Sequence, residues 1–112
     1  MLYSKSIFIP AGTSETSPIV TTFTIRERTV TRVDVMIDTV ATKGLVGLKI
    51  SIGQAGFKVY NFPIEAGDYI RKGETWIGTI TLPDINLPAT ISAVSPNAVK
   101  NHTAIVSIHT NA

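Results

Sequence analysis

The residues best equipped for chemistry lie close together in "TVTRVDVMID", Thr29 to Asp38, where Arg32, Asp34 and Asp38 share one parity and Val33, Val35 and Ile37 the other. Two carboxylates beside a guanidinium suggest an acid–base pair. Glycosidase-type chemistry needs two carboxyl groups flanking one bond, with the pKa of one raised by burial. Residues four apart on an extended strand stand about 13 Å apart, at a rise of about 3.3 Å per residue, which is too far to share a bond. The alternation reads instead as the wet side of a strand, with Asp34 beside Arg32 making cross-strand ion pairs worth under about 1 kcal/mol each.

His102 and His109 fall at opposite parity within one expected strand, so a regular strand cannot bring both to one metal ion. No His-x-His pair or acidic loop supplies further ligands. The chain has no Gly-x-Ser-x-Gly elbow, phosphate-cradling glycine loop or zinc-protease signature. It has no cysteine, which excludes disulfides, zinc ribbons and thiol catalysis. No catalytic, cofactor-binding or metal-ligating residue is assigned, and the expectation is a protein that is not an enzyme and takes no cofactor. Asn101-His102-Thr103 fits the glycosylation acceptor pattern; with no secretory leader recognisable in "MLYSKSIFIPAG", the triplet is read as coincidence. Trp76, Tyr60, Tyr69 and Tyr3 could stack on sugars, although the preferred reading packs Trp76 in the core with the tyrosines at its rim.

The elements that must position these residues are strands. Apolar residues recur at period two in short bursts rich in Val, Ile, Thr and Phe. Eight strands are expected, near Tyr3–Ile9, Ile19–Ile25, Thr29–Ile37, Leu45–Ile52, Phe57–Phe62, Thr75–Leu82, Ala89–Val94 and Thr103–His109. No window carries a clear 3.6-residue stripe, so any helix should be short. All six prolines fall between these strands, where a missing N–H costs no ladder bond. "GQAG", Gly53 to Gly56, reads as a hairpin turn, and "RERT" and "RKGE" as tight connections. Gly47 and Gly78 lie inside strands and suggest bulges or close backbone approach. "AGTSETS", Ala11 to Ser17, reads as a loop or arm between the first two strands.

The core should form from Ile19, Phe23 and Ile25, from Val46, Leu48, Ile50 and Ile52, and from Ala104, Val106 and Ile108. "FKVYNF" and "TWIGTITL" carry apolar residues at both parities, as strands covered on both sides do. The architecture implied is a single domain over residues 1–112. It is all-β, a two-layer antiparallel β-sandwich of about eight strands, jelly-roll-like, with an immunoglobulin-like sandwich as the alternative.

At 112 residues, 44% hydrophobic and 16% charged, the chain carries well under the usual quarter of charged residues. Such a chain has enough apolar surface to fold and less charge than usual to cover its outside, which favours contact with copies of itself or with a partner. Net charge is +2, with the ten basic residues scattered; the densest group, Arg26, Arg28 and Arg32, is broken by Glu27. Nucleic-acid binders concentrate Lys and Arg on one face, so no nucleic-acid partner is expected. No apolar run approaches the length of a bilayer span, and no membrane partner is expected.

The order of features has a counterpart. "FIPAGTSETSP" opens with a strand and a Pro-Ala-Gly-Thr turn. "TVTRVDVMIDTVATKGLVGLKISIG" places a Gly-Leu-Val-Gly segment after a strand, and "FPIEAGDYIRKGETWIG" and "NHTAIVSIHT" follow. This pattern resembles the small all-β structural proteins of virus particles, especially those that decorate or cement tailed-phage heads. The resemblance implies a non-enzymatic, stoichiometric binder, made in a host cytoplasm and located in the virion. It implies a homo-oligomer that binds the major capsid protein or other virion proteins and stabilises the shell. The alternative function is a carbohydrate- or receptor-binding module, with the aromatic residues as its discriminating feature. The loop Ala11–Ser17 and the strand Phe57–Phe62, including Val59, are expected to make contacts between copies.

Overall fold

The period-two pattern becomes two antiparallel sheets stacked face to face. The computed structural model describes residues 1–53, 60–62 and 69–111. Among the described residues the strands are β1 (Leu2–Ile9), β2 (Ile19–Ile25), β3 (Thr29–Met36), β4 (Gly47–Ile52), β5 (Tyr60–Phe62), β6 (Glu74–Thr81), β7 (Leu87–Val94) and β8 (His102–Asn111), with one helical turn, α1 (Thr39–Thr42), between β3 and β4. One sheet has the order β1-β8-β3-β6 and the other β2-β7-β4-β5. The expected all-β, two-layer antiparallel sandwich is therefore the observed fold. No helix among the described residues is long and apolar enough to cross a membrane.

Each sheet turns one parity of its strands towards the other. From the first sheet come Ile7, Ile9, Val33, Val35, Ala104, Val106 and Ile108, and from the second Ile25, Leu48, Ile50, Ile52, Ala89, Ile91 and Ala93, all buried. The largest fully buried side chains are aliphatic, which suits a thin layer between pleated surfaces that β-branched residues fill in their preferred rotamers. Tyr3, Ile19, Phe23, Tyr60, Trp76 and Ile80 pack around this layer half-buried. The core sets expected on β2, β4 and β8 all point inward.

Differences from expectation fall at strand ends. Pro88 lies inside β7, opposite Thr24; it is the strand's second residue, where a proline is tolerated, and its carbonyl accepts the N–H of Gly53 at 3.0 Å. Asp38 lies beyond β3, and caps α1. "RERT" supplies the tight connection expected of it, and that connection crosses from one sheet to the other. The turn expected over Gly53–Gly56 lies outside the described residues after Gly53, as does the expected strand before Tyr60, Val59 included.

Both strand glycines mark close approach. A Cβ on Gly47 would lie 2.8 Å from Cβ of Tyr69, and one on Gly78 would lie 2.7 Å from Cζ2 of Trp76. Gly78 also stands where the ladder shifts. Val30 pairs with Thr110 and Ile80, and Arg32 with His109 and Ile77. Thr31 is thus the extra residue against β8, and β6 places Gly78 and Thr79 across from it. Such a bulge sharpens local twist, and the missing side chain at Gly78 leaves room for the indole.

Ile108 is fully buried at the centre of the first sheet, paired with both Tyr3 and Val33. Ile108→Ala should cost about 2–5 kcal/mol in urea denaturation followed by Trp76 fluorescence. A loss below about 1 kcal/mol would mean the layer can collapse around the gap.

Candidate functional site

The outer face of the first sheet carries a set of polar and titratable side chains, because strand pairing brings four strands' outward residues into rows. One row is Leu2, His109, Arg32 and Ile77; the next is Ser4, Ser107, Asp34 and Thr75. Asp34 is the junction. Arg32 Nε donates to its two oxygens at 3.0 and 2.9 Å, and Thr75 Oγ1 donates to Oδ1 at 2.8 Å. His109 Nε2 stands 3.4 Å from Oδ2. The Ser4 and Ser107 hydroxyls lie 3.3 Å apart and continue the row to β1. The Arg32 ion pair therefore runs along β3, and the cross-strand contacts are those with Thr75 and His109, a correction to the expected cross-strand pairing. Burial pushes the Asp34 carboxyl up, but the Thr75 hydroxyl and the Arg32 guanidinium outweigh it and hold the pKa below the ordinary 3.8.

Asp38 belongs to a different structure. Its Oδ1 accepts the backbone N–H groups of Val40 and Ala41 at 3.1 and 3.0 Å, and its carbonyl accepts that of Thr42 at 2.9 Å. This is N-cap geometry, which satisfies two donors that a helix start leaves open. Asp34 and Asp38 thus do separate structural jobs. His102 and His109 lie at opposite parity on β8, as expected, with His102 on the parity of Ala104 and Val106. Among the described residues no group of three or more His, Asp or Glu could hold a metal ion.

Beside the Asp34 row the same face turns apolar. Ile105 pairs with Ser6 and Met36, and Thr103 with Phe8. An open cleft of about 550 Å³ at the end of β3 is lined by Val35, Met36, Ile37, Asp38, Gly73, Thr103 and Ile105. Leu2, Phe8, Met36 and Ile77 are each more than half exposed. The face therefore combines a polar, hydrogen-bonded row with an apolar margin.

The four aromatic candidates do not gather in one groove. Tyr3 lies at the β1/β2 edge, its ring stacked on Phe23 with centroids 5.8 Å apart. Tyr60, Tyr69 and Trp76 lie towards the β5/β6 edge. Tyr60 donates to the Thr81 carbonyl at 3.4 Å, and Trp76 packs half-buried against the core, paired with Val33. The Tyr69 ring lies under the Lys49 ammonium at 4.2 Å and near the Arg71 guanidinium at 5.7 Å. Cations already occupy that ring.

The Ala11–Ser17 segment is tied down rather than a free arm. Gly12 N–H donates to the Ser95 carbonyl at 3.1 Å, and Ser95 N–H returns a bond to the Thr13 carbonyl at 2.9 Å. Thr13 and Ser95 hydroxyls both donate to the Pro10 carbonyl. Asn101 Oδ1 accepts the Ala11 N–H at 2.9 Å, which gives the residue of the acceptor-like triplet a structural role. At the opposite end a network that sequence reading missed joins β1 and β8 to the β2–β3 connection. Tyr3 hydroxyl donates to Glu27 Oε1 at 2.8 Å, Thr110 hydroxyl to the same oxygen at 2.6 Å, and Arg26 N–H donates to the Tyr3 hydroxyl at 3.1 Å. The Thr110 bond, followed by that from Tyr3, lowers Glu27 below the ordinary 4.5 against its burial. Burial, with Glu27 beside it, raises the Tyr3 phenol above 10.0. Glu27 had no partner two or four residues away in sequence, so no local spacing signalled it.

No protein-family model matches the chain, and no curated protein matches it.

The two lowered carboxylates make a prediction with a definite sign. Each releases its proton more readily when folded, so its stabilisation is complete above the ordinary values of 3.8 and 4.5 and is lost as pH falls through the folded pKa. Asp34→Asn should cost about 1 kcal/mol at neutral pH, and Asp34→Asn with Glu27→Gln should flatten the acid limb of stability against pH in urea titrations. An acid limb unchanged in the double variant would remove both groups from this role.

Proposed function

We propose that the chain is a non-enzymatic structural protein of a virus particle, a decoration or cement protein that binds the shell as a homo-oligomer and stabilises it. The observation that carries the reading is the outer face of the first sheet, where Leu2, Phe8, Met36 and Ile77 stay exposed around an ordered polar row. Exposed apolar side chains beyond what a solvated sheet face needs mark interaction sites, and here Met36 beside Ile105, and Phe8 beside Thr103, flank the polar row. A binder of the assembled state stabilises it by linkage, and a lattice repeats each modest contact many times. The resemblance of the strand-and-turn pattern to small virion proteins supports the same reading, in which the protein sits in the virion with the major capsid protein as its partner.

The winding supports a jelly roll over the immunoglobulin alternative. In an immunoglobulin sandwich the first, second, fifth and fourth strands share one sheet. Here β1 and β2 lie in different sheets and β1 pairs with β8, as expected when a long hairpin of strands is rolled up. A carbohydrate- or receptor-binding module draws less support, since the aromatic side chains are divided between two edges and Trp76 packs against the core.

Phe8→Lys and Met36→Lys test the reading. Both side chains point outward, so each variant should melt within about 2 °C of the parent while its occupancy on purified particles falls at least about tenfold. In electron cryo-microscopy of the native particle the parent should sit at symmetry-equivalent lattice positions. Absence from purified particles would reject the proposal, and a specific hit on a glycan panel, abolished by Trp76→Ala without unfolding, would favour the module.

A further inference from the structure

The four open sheet edges are guarded unequally. Across the inner face of the first sheet, one row reads Lys5, Val106, Val35 and Glu74. Both its edge strands therefore turn a charge inward, at the middle of β1 and at the start of β6, and inward charges at an edge oppose pairing with another chain. Lys5 is held there over the Phe23 ring at 5.3 Å. In the second sheet one edge is β5, of which Tyr60–Phe62 are described. The remaining edge is β2, "IVTTFTI", seven residues without a charge or a proline. No backbone group of Ile19–Ile25 makes a bond outside the strand ladder among the described residues. Its outward side chains Val20, Thr22 and Thr24 are exposed.

The strand is also self-complementary. Laid antiparallel on a copy of itself about a two-fold axis at Thr22, it pairs Ile19 with Ile25 and Thr21 with Phe23 on the inner side, and Val20 with Thr24 and Thr22 with Thr22 on the outer side. All seven residues are used and every side chain keeps its face. These are the β-branched, aromatic and Thr–Thr pairs that stabilise neighbouring strands. No like charges meet: the first charged residue after the strand, Arg26, falls opposite Pro18. Shifting the register by one residue would set inward side chains against outward ones.

From this we infer that β2 is the self-association edge of the protein: two copies join their β2 strands antiparallel about Thr22 and form one continuous eight-stranded sheet, β5-β4-β7-β2 running into β2-β7-β4-β5. The inference rests on the reading of the chain as a self-associating structural protein, and supplies the surface and register. The exposed face of the first sheet stays free in this dimer to meet a shell. An edge of seven residues is a small interface, at the weak end of specific contacts, so the dimer should be concentration-dependent in solution and consolidated on a lattice.

The chain's lack of cysteine makes the register testable. Antiparallel partners have Cα atoms about 4.5–5.5 Å apart, within disulfide reach. Thr22→Cys should therefore cross-link to itself under mild oxidation at least about tenfold faster than Val99→Cys, an exposed control in the β7–β8 connection. Thr24→Cys should cross-link with Val20→Cys in a mixture and poorly with itself. Circular dichroism confirms that each outward substitution leaves the fold intact, and light scattering of the parent gives its oligomeric state. If Thr22→Cys is no faster than Val99→Cys while the parent still oligomerises, the β2 assignment is wrong and self-association through another surface survives. If the parent is monomeric at every concentration and no variant cross-links preferentially, both the assignment and the self-associating reading fall.

Discussion

The dry aliphatic layer between the two sheets is what the rest of the molecule depends on. Ile7, Ile9, Ile25, Leu48, Ile50, Ile52, Leu82, Ile91 and Ile108 are fully or almost fully buried in it. A buried side chain of this size contributes about 1.5–3 kcal/mol relative to exposure, so no surface contact competes with it. Since β1, β2, β3 and β4 alternate between the sheets, each connection spans the layer, and neither sheet can form its buried face alone. The bulky rings cannot enter so thin and regular a space without displacing several aliphatic groups. They are left at the open edges, where Tyr3 and Phe23 close one side and Tyr60 and Trp76 the other.

Polar contacts then fix what the layer leaves undetermined, the positions of ends and loops. Glu27 ties the crossing between β2 and β3 to Tyr3 and Thr110 on strands distant in sequence. Ser95 and Asn101 hold the Ala11–Ser17 segment against the far end of the sandwich. Asp34 links β3 to β6 and β8. Each bond is worth about 1 kcal/mol net, small beside the core but concentrated where burial is least. Geometry here decides role. Asp34 and Asp38 are four residues apart in one chain segment, yet one accepts bonds across a sheet and the other caps a helical turn.

Period-two alternation made the strands legible because it is the same signal that burial imposes. β2 is bounded in the structure as its apolar alternation suggests, and the inward sets on β4 and β8 are those read from parity. Gly47 and Gly78 were legible as close approaches, although their neighbours, Tyr69 and Trp76, were not identifiable. What was lost is everything that depends on which strand lies beside which. Asp34 meets Thr75 and His109 because β3 lies between β6 and β8, and no spacing within one strand encodes that order. Asp38 continues the alternation of Arg32 and Asp34 just past the expected strand end at Ile37, one residue beyond the observed end at Met36, while its preference for a helix N-cap operates on the following residues. Pro88 was placed outside a strand by a rule that holds for strand interiors and relaxes at their first residues.

The distribution of charge connects this architecture to the proposed self-association. With charged residues at 16% of the chain, there are too few to shield every edge and face. Lys5 and Glu74 are placed at the two edges of the first sheet, where an unpaired eight-residue strand would otherwise be an open template. Their inward direction has an energetic cost, since a half-buried charge is partly desolvated, and Lys5 offsets some of it against the Phe23 ring. Such a chain accepts this cost on one sheet and leaves seven uncharged residues at the β2 edge of the other. Edge pairing about a two-fold consumes that edge in both partners, so the assembly closes at two. In the proposed dimer, growth beyond the pair would have to use the outer faces, where Met36 and Phe8 are exposed.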